Sequence, residues 1–92
     1  KLDWDDIGSW TALEKYYMKD DDNNVINGLC SLIDTRNCMI FGNGRLSSTI
    51  GVSNLLVVDT GDILLICDRE RDQDIKEMVR QLTFQRGFDN FI

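Results

Sequence analysis

The chain has 92 residues, enough for one small domain, and its sixteen acidic residues against ten basic ones give a formal net charge of -6. This acidic balance, with no basic run, argues against nucleic acid and against an electrostatically bound membrane surface as partners. Hydrophobic residues make up 42% of the chain and charged residues 28%, which is typical of a globular protein and argues against disorder.

The chain has no histidine and three cysteines, without a C-x-x-C spacing. A structural zinc site and the Ser-His or Cys-His nucleophile pairs are therefore disfavoured. No apolar run approaches the roughly 20 residues that cross a bilayer. We interpret Cys30, Cys38 and Cys67 as buried free thiols of a cytoplasmic protein.

The first segment is tightly specified, because Trp4 and Trp10 flank Asp5, Asp6 and Gly8. A carboxylate beside a glycine could hold a divalent cation near a phosphate, since aspartate is a hard oxygen ligand for magnesium. From the residues alone, a turn whose aspartates accept backbone N–H groups is the commoner arrangement. Adjacent side chains of an extended segment point to opposite sides, so at most one aspartate would face a given site.

A helix is predicted from Ser9 to about Met18, with Leu13, Tyr16 and Tyr17 as its buried stripe. The polar run at residues 19–24 ends it. Three successive aspartates there predict a solvated turn, since the spacing and final glutamate of an EF-hand are missing. We place a boundary in this run, between a first unit at residues 1–22 and a second at 23–92.

Short apolar runs then alternate with turn residues and predict about five strands, near residues 25–33, 37–41, 45–50, 54–58 and 62–67. The last two runs are continuously apolar, which predicts that both faces of those strands are covered. Turns at this spacing fit either an antiparallel meander or the coils of a β-solenoid. No clean hexapeptide repeat chooses between them.

The turn from Gly42 to Leu46 is interpreted as a hairpin or a coil corner. A phosphate loop is disfavoured because the turn lacks both the further glycine of a dinucleotide loop and the Lys-Ser/Thr of a P-loop. Asp59 to Asp62 is interpreted as a tight turn between two buried strands.

The chain ends with an amphipathic helix whose apolar residues recur at i, i+3, i+4 and i+7: Ile75, Met78, Val79 and Leu82. We expect it to cap the β layer. The apolar tail after it is expected to pack back or to meet a further part of the protein or a partner. The fold class predicted from the residues is therefore mainly β, with an N-terminal helical segment and a C-terminal capping helix.

Three segments, in order and at matching spacing, resemble the bacterial mannose-1-phosphate guanylyltransferases, also called GDP-mannose pyrophosphorylases. Residues 4–13 resemble the W-x-D-[VI]-G-S-W-x-A-L segment of that family, and residues 34–38 resemble its D-T-x-N-C/S turn. Residues 55–76 are similar to its V-V-V-D-T-x-D-A-L-L-V stretch followed by R-x-Q-D-V-K. Together the three cover roughly residues 4–82.

The resemblance implies the C-terminal quarter of such an enzyme, a piece cut from a larger protein. Residues 1 to about 20 would close an α/β nucleotidyltransferase domain. Residues 25–82 would form a short left-handed β-helix with a final helix, which takes part in dimer contacts. The implied reaction joins mannose 1-phosphate and GTP into GDP-mannose and releases pyrophosphate, with magnesium neutralising charge on the phosphates.

Carried over residue by residue, Asp6 would be a catalytic residue and a magnesium ligand. Gly8 and Ser9 would lie close to the sugar-phosphate site, whereas Asp5 falls on a variable position and receives no role. The family's nucleotide-binding signature, G-x-G-x-R-L-x-P, is absent, so we expect these 92 residues alone to be inactive. The family's D-T-P-D turn has Gly61 in place of proline, which we interpret as a conservative change.

The partners implied by the resemblance are GTP and mannose 1-phosphate in the complete enzyme, and a second copy of the chain. We expect a homodimer because the face of residues 1–20 that would meet the rest of the enzyme should be exposed. The alternative hypothesis is a free-standing, non-catalytic β module for oligomerisation or docking, in which Asp6 is only a turn residue.

Overall fold

The computed structural model describes residues 12–85 and 87–91, and most of its regular structure is β. The strands are β1 (Val25–Asn27), β2 (Cys30–Ile33), β3 (Met39–Phe41), β4 (Ser47–Ile50), β5 (Leu55–Asp59) and β6 (Leu64–Asp68). A 3-10 helix at Arg69–Asp74 leads into α1 (Ile75–Phe84), and further 3-10 turns lie at residues 12–16 and at Asp89–Phe91. In this described part, each helix is too short or too polar to cross a lipid bilayer.

Parallel pairing identifies the coils of a β-helix. Strands β1, β3 and β5 pair in parallel, as do β2 and β4. In this register Val25 lies beside Met39 and Met39 beside Leu56, so one coil advances 14 residues and the next 17. An antiparallel meander is therefore excluded for these five strands, and the β-helix alternative is confirmed.

The β-helix ends where the chain reverses, because β6 pairs antiparallel with β5 and completes a sheet of order β1-β3-β5-β6. The tight turn predicted between them is confirmed. Gly61 adopts a φ of +94° there, and its N–H donates to the Asp59 carboxylate at 2.9 Å. Proline can supply neither that φ nor an N–H, so the change from proline to Gly61, which we interpreted as conservative, is not conservative for this turn.

The first predicted strand, 25–33, is divided into β1 and β2 at Gly28. This glycine has a φ of +133°, and a Cβ built on it would lie 3.2 Å from the Cα of Gly42 in the next coil. The two glycines thus let successive coils approach at one corner. The Gly42 turn joins strands of different sheets, so it is a coil corner and not a hairpin.

Two apolar clusters lie on opposite faces of β3 and β5. Met39, Phe41 and Leu56 face the cluster that Ile75 and Val79 of α1 cover, which confirms the helix as a cover of the β layer. The interior cluster is formed by Cys38, Ile40 and Val57, with partly buried side chains of the second sheet against them. Both faces of β5 are covered as predicted.

The same prediction is wrong for β6, where Leu64 is 50% and Ile66 58% exposed. Side chains of a strand alternate between its two faces, and in β6, the last strand of its sheet, one of these faces is exposed. The described part of the tail is also exposed: Phe88 contacts the ring of Phe91, and neither is buried.

The N-terminal segment is a single 3-10 turn at residues 12–16 and not the predicted α-helix, whose first residues lie outside the described ones. Because a 3-10 helix has three residues per turn, Glu14 and Tyr17 share one side. That side meets the β-helix, with the ring of Tyr17 edge-on to Phe41 at 5.5 Å. Leu13 at 37%, Tyr16 at 72% and Tyr17 at 36% are all exposed, so the predicted buried stripe is wrong.

Candidate functional site

Asp6, Gly8 and Ser9 lie outside the described residues, so their roles as magnesium ligand and sugar-phosphate contacts stay predictions. Among the residues that are described, no group of three or more His, Cys, Asp or Glu side chains could hold a metal ion. The described residues closest to them in the chain form the turn at 12–16. The surface on which this turn rests is therefore the candidate site that the structure describes.

Three asparagines and an aspartate stack along one corner of the β-helix, and we call them the asparagine ladder: Asn23, Asn37, Asn54 and Asp68. Each amide nitrogen donates to the side-chain oxygen of the next member, at 2.7, 2.8 and 3.0 Å. Aspartate accepts without donating, which suits the last position, where no further coil follows. Asp68 also accepts from the N–H of Glu70 and so caps the following 3-10 helix.

The ladder asparagines also set the backbone of the corner. Asn23, Asn37 and Asn54 have φ values of 65°, 56° and 60°, the left-handed region that asparagine tolerates better than other side-chain-bearing residues. Each lies two positions before one of the aligned residues of the parallel strands. One residue type thus supplies both the backbone reversal and the hydrogen bond to the next coil.

Arg69 follows Asp68 in the sequence, and its side chain binds the ladder at Asn37. One terminal nitrogen donates to the backbone oxygen and the side-chain oxygen of Asn37, at 3.1 and 3.0 Å. The other donates to Glu14 at 2.6 Å, across 55 residues of sequence. The side chain is only 10% exposed, so the guanidinium is held by the β-helix on one side and the N-terminal turn on the other.

Glu14 is the residue of the N-terminal turn that this arginine holds. The hydrogen bond from Arg69 is the main cause that lowers the pKa of Glu14 below its usual value, against a smaller opposing effect of burial. Lys19 lies 3.4 Å from the same carboxylate oxygen and is more exposed. Glu14 is therefore ionised at neutral pH and ion-paired with both cations. With the three asparagines of the ladder they line a polar groove of about 530 Å³.

A second, apolar groove of about 520 Å³ lies between β4 and β6. Its edge carries four exposed aliphatic side chains: Leu46, Ile50, Leu64 and Ile66. At one end Arg45 pairs with the buried carboxylate of Asp59 at 2.5 Å. That bond, followed by the N–H of Gly61, lowers the pKa of Asp59 despite burial, so the carboxylate stays charged.

The three cysteines are free thiols, as predicted, although only Cys38 is fully buried. Cys38 donates to the backbone oxygen of Arg36 and accepts from the N–H of Leu55, so it is part of the packing between coils. Burial raises the pKa of Cys30 and of Cys67. A raised pKa disfavours the thiolate, so neither cysteine resembles an activated nucleophile.

Arg69, Glu14 and the ladder were missed in the sequence analysis. The ladder had a detectable signal, since each asparagine stands two positions before a residue of an apolar strand and the first two intervals, of 14 and 17 residues, match the coils. The pairing of Arg69 with Glu14 left no such signal, because only the closure of the coils brings the two together.

Residues 23–82 match the family described as the MannoseP isomerase/GMP-like β-helix domain. The chain is 44% identical over 82 residues to the alginate biosynthesis protein AlgA of Pseudomonas putida, covering 89% of this chain and 17% of that protein. It is 42% identical over 80 residues to the mannose-1-phosphate guanylyltransferase of Klebsiella pneumoniae, covering 87% and 17%. The chain thus spans about a sixth of these relatives' length, in their C-terminal part.

A solved structure supports the same assignment of fold. The mannose-1-phosphate geranyltransferase of Thermus thermophilus superposes with a TM-score of 0.72 and is 32% identical in sequence. The match covers 84% of this chain and 24% of that one. The β-helix described above is therefore shared with a larger protein.

Proposed function

The chain belongs to the MannoseP isomerase/GMP-like β-helix domain family, and from this we propose that it is the β-helix part of an enzyme that makes GDP-mannose. The complete protein would join GTP and mannose 1-phosphate and release pyrophosphate. The β-helix would pack against the catalytic part and contribute to assembly, without turning over substrate alone. Its three free thiols fit the cytoplasmic location that we propose for it.

The observation that carries this proposal is the identity of 42% over 80 residues with a mannose-1-phosphate guanylyltransferase. That identity extends over nearly the whole chain, so it includes more than the repetitive strands of a common fold. The three segments noted in the sequence, with residues 4–13 first, support the same reaction. Guanine and mannose as the specific base and sugar rest on these relatives alone.

Within this proposal Asp6 holds magnesium, and Gly8 and Ser9 lie near the sugar phosphate. The bound cation would neutralise charge on the phosphates during transfer. Asp6 supplies a hard carboxylate oxygen, and Gly8 permits close approach of a phosphate to the backbone.

The test is magnesium-dependent formation of GDP-mannose by the complete protein, with Asp6→Asn and the adjacent Asp5→Asn compared. We expect the Asp6 variant to lose nearly all turnover while the Asp5 variant keeps it, since only Asp6 matches the family's fixed position. A complete protein that forms no GDP-mannose would overturn the proposed reaction. Normal turnover in Asp6→Asn would overturn the metal role only.

We also propose that the apolar groove is a contact surface with a second copy of the chain. Among the described residues β4 pairs only with β2, so its other edge is available to a further strand. Exposed aliphatic side chains, among them Ile50 at 72%, flank that edge. A two-fold axis beside β4 would bury the same groove on both copies. The alternative function, a non-catalytic oligomerisation module, is favoured by this same surface.

Sedimentation equilibrium of the complete protein tests the dimer. We expect Ile50→Glu to shift the mass toward the monomer, because a carboxylate would be buried in the contact. Met78→Gln, at an exposed apolar position on α1 outside the groove, serves as the control and should leave the mass unchanged. A wild-type protein that is monomeric at high concentration would contradict the proposal, as would an Ile50→Glu protein that stays dimeric.

A further inference from the structure

Two asparagines of the chain stand directly before a glycine, Asn27 before Gly28 and Asn43 before Gly44. The side-chain carbon of an asparagine can react with the backbone nitrogen of the next residue, and a glycine obstructs this approach least because it has no Cβ. Both pairs are exposed, and each lies between a strand of the first sheet and a strand of the second. Their surroundings in the structure therefore decide which of them reacts.

The peptide unit between Asn27 and Gly28 is held by the neighbouring coil. The carbonyl of Asn27, the last residue of β1, accepts from the N–H of Gly42 at 2.8 Å, and a Cβ built on Gly28 would lie 3.2 Å from the Cα of Gly42. In an extended strand the next backbone nitrogen is turned away from the side chain, so ring closure requires rotation of this peptide unit. That rotation would break the hydrogen bond and disturb the packing of the two glycines.

The peptide unit between Asn43 and Gly44 is free of such restraints. Within the described part of the chain its C=O and N–H form no hydrogen bond, and only the neighbouring residues approach within 4 Å of a Cβ built on Gly44. Gly44 has a φ of +89°, and both residues are exposed to water. Rotation of this peptide unit can therefore bring the nitrogen of Gly44 to the side-chain carbon of Asn43 without loss of a contact between coils.

We propose that Asn43 is a site of spontaneous deamidation. The backbone nitrogen of Gly44 forms a bond to Cγ of Asn43, and the bond from Cγ to Nδ2 breaks. The proton of the Gly44 nitrogen passes through water to the departing nitrogen, which leaves as ammonia. A water molecule then opens the resulting succinimide ring at either carbonyl and leaves aspartate or isoaspartate. Both products carry a negative charge that asparagine lacks.

The added charge lies beside the ion pair of Arg45 and Asp59. The side chain of Asn43 lies against Gly61, since a Cβ built on that glycine would be 2.8 Å from its Nδ2. The N–H of Gly61 donates to the buried carboxylate of Asp59, which also accepts from Arg45. A second carboxylate at this place repels that of Asp59 and competes for Arg45. Deamidation should therefore lower the stability of the protein, and lower it less at high salt.

Mass spectrometry of the complete protein, incubated in mildly alkaline buffer, tests the reaction. Trypsin cuts after lysine and arginine, so it releases Asn27 and Asn43 in separate peptides, at residues 20–36 and 37–45. Fragmentation assigns the reacted residue within each peptide. We expect Asn27 to react at least about 10-fold more slowly than Asn43, which corresponds to about 1.4 kcal/mol of additional barrier and is the size of one lost backbone hydrogen bond.

The same protein unfolded in guanidinium chloride is the matched control, because each asparagine is then followed by an unrestrained glycine. The two rates should become comparable there. An Asn43 that stays unreacted in the folded protein would overturn the proposal, as would an Asn27 that reacts as fast in it. A rate difference that persists after unfolding would overturn the argument from the structure, since the local sequence would then be its cause.

Two variants test the effect of the added charge. Asn43→Asp reproduces the aspartate product, whereas Asn43→Gln keeps a neutral amide and serves as the control. We expect a lower urea midpoint for Asn43→Asp, with a smaller difference at high salt, and a midpoint near that of the wild type for Asn43→Gln. Equal midpoints of the two variants would refute the effect on the pair of Arg45 and Asp59.

Discussion

Replacing Asn37, the central member of the asparagine ladder, should cost several kcal/mol and separate two contributions of that residue. Its side chain accepts from Asn23 and donates to Asn54, at 2.7 and 2.8 Å, and accepts from Arg69 at 3.0 Å. Neutral hydrogen bonds contribute about 0.5–1.5 kcal/mol each, and those to a charged group about 1.5–3 kcal/mol.

The sum of these contributions overstates the loss on replacing Asn37, because the bond from Asn23 is exposed and Arg69 keeps its bond to the backbone oxygen of Asn37. We expect Asn37→Gly to lower the free energy of unfolding by about 2–4 kcal/mol. Asn37→Ala should cost roughly 1 kcal/mol more, since alanine must adopt the left-handed φ of 56° that glycine accepts freely.

Urea unfolding followed by far-UV circular dichroism measures both differences. Asn37→Asp keeps the acceptor for Asn23 and Arg69 but loses the donor to Asn54, so its stability should lie between the wild type and Asn37→Gly. Asn27→Ala, at an exposed position of β1, is the control and should stay within about 0.5 kcal/mol of the wild type. Equal stabilities of the glycine and alanine variants would refute the backbone argument, and wild-type stability in Asn37→Gly would refute the hydrogen-bond argument.

Three further changes test the ends of the β-helix. Asp68→Ala should lower the free energy of unfolding by about 1–2 kcal/mol, because the amide of Asn54 and the following 3-10 helix lose their acceptor; Asp68→Asn, which keeps that oxygen, should cost less in the same urea titration. Asp59 has a folded pKa below its ordinary 3.8, so its stabilising effect is complete above that pH and is lost as the pH falls through the folded pKa. Urea midpoints should therefore fall on acidification, and less steeply in Asp59→Asn; an equal slope would contradict the pairing with Arg45. Gly61→Pro should lower the thermal midpoint and cost more than about 1 kcal/mol, whereas Gly61→Asn should cost less because asparagine tolerates positive φ.

Local signals in the sequence predicted most of the strands and the final helix, because both depend on neighbouring residues. Strands β3 and β4 lie within the predicted ranges, β5 ends one residue beyond its range, and the stripe from Ile75 to Leu82 lies within α1. The apolar runs did not predict which strands pair or in which direction. Apolar runs of three to five residues are compatible with parallel and with antiparallel neighbours, and only the turn chemistry differs.

That turn chemistry was present in the sequence but was interpreted one turn at a time. Asn23 was assigned to a polar turn, whereas Asn37 and Asn54 were assigned to the first positions of predicted strands. Their common position, two residues before an aligned strand residue, gives the register of the coils. Gly28 was included in a continuous predicted strand, although a glycine inside a strand often marks a close approach of another backbone. Its close approach to Gly42 depends on coil stacking, which no window around residue 28 contains.

The candidate site was less predictable than the fold because it depends on contacts between distant residues. Glu14 and Arg69 are separated by 55 positions, and each has nearer residues of opposite charge with which a local reading would pair it. The exposure of Leu13 and Tyr16 has the same origin. An α-helical period assigned the buried side to Leu13, Tyr16 and Tyr17, whereas in the 3-10 turn Glu14 and Tyr17 are the side chains that contact the β-helix.

The asparagine ladder and the N-terminal turn are connected through Arg69, which binds both Asn37 and Glu14. The position of the turn therefore depends on the ladder, whereas the ladder does not depend on the turn. Arg69 is oriented by two bonds to Asn37, so loss of the Asn37 side chain leaves it one of these bonds and weakens its orientation toward Glu14. Glu14 contributes nothing to the bonds between coils, so its removal leaves the ladder intact. Changes in the β-helix can therefore reach the N-terminal segment through Arg69, whereas changes at Glu14 should stay local.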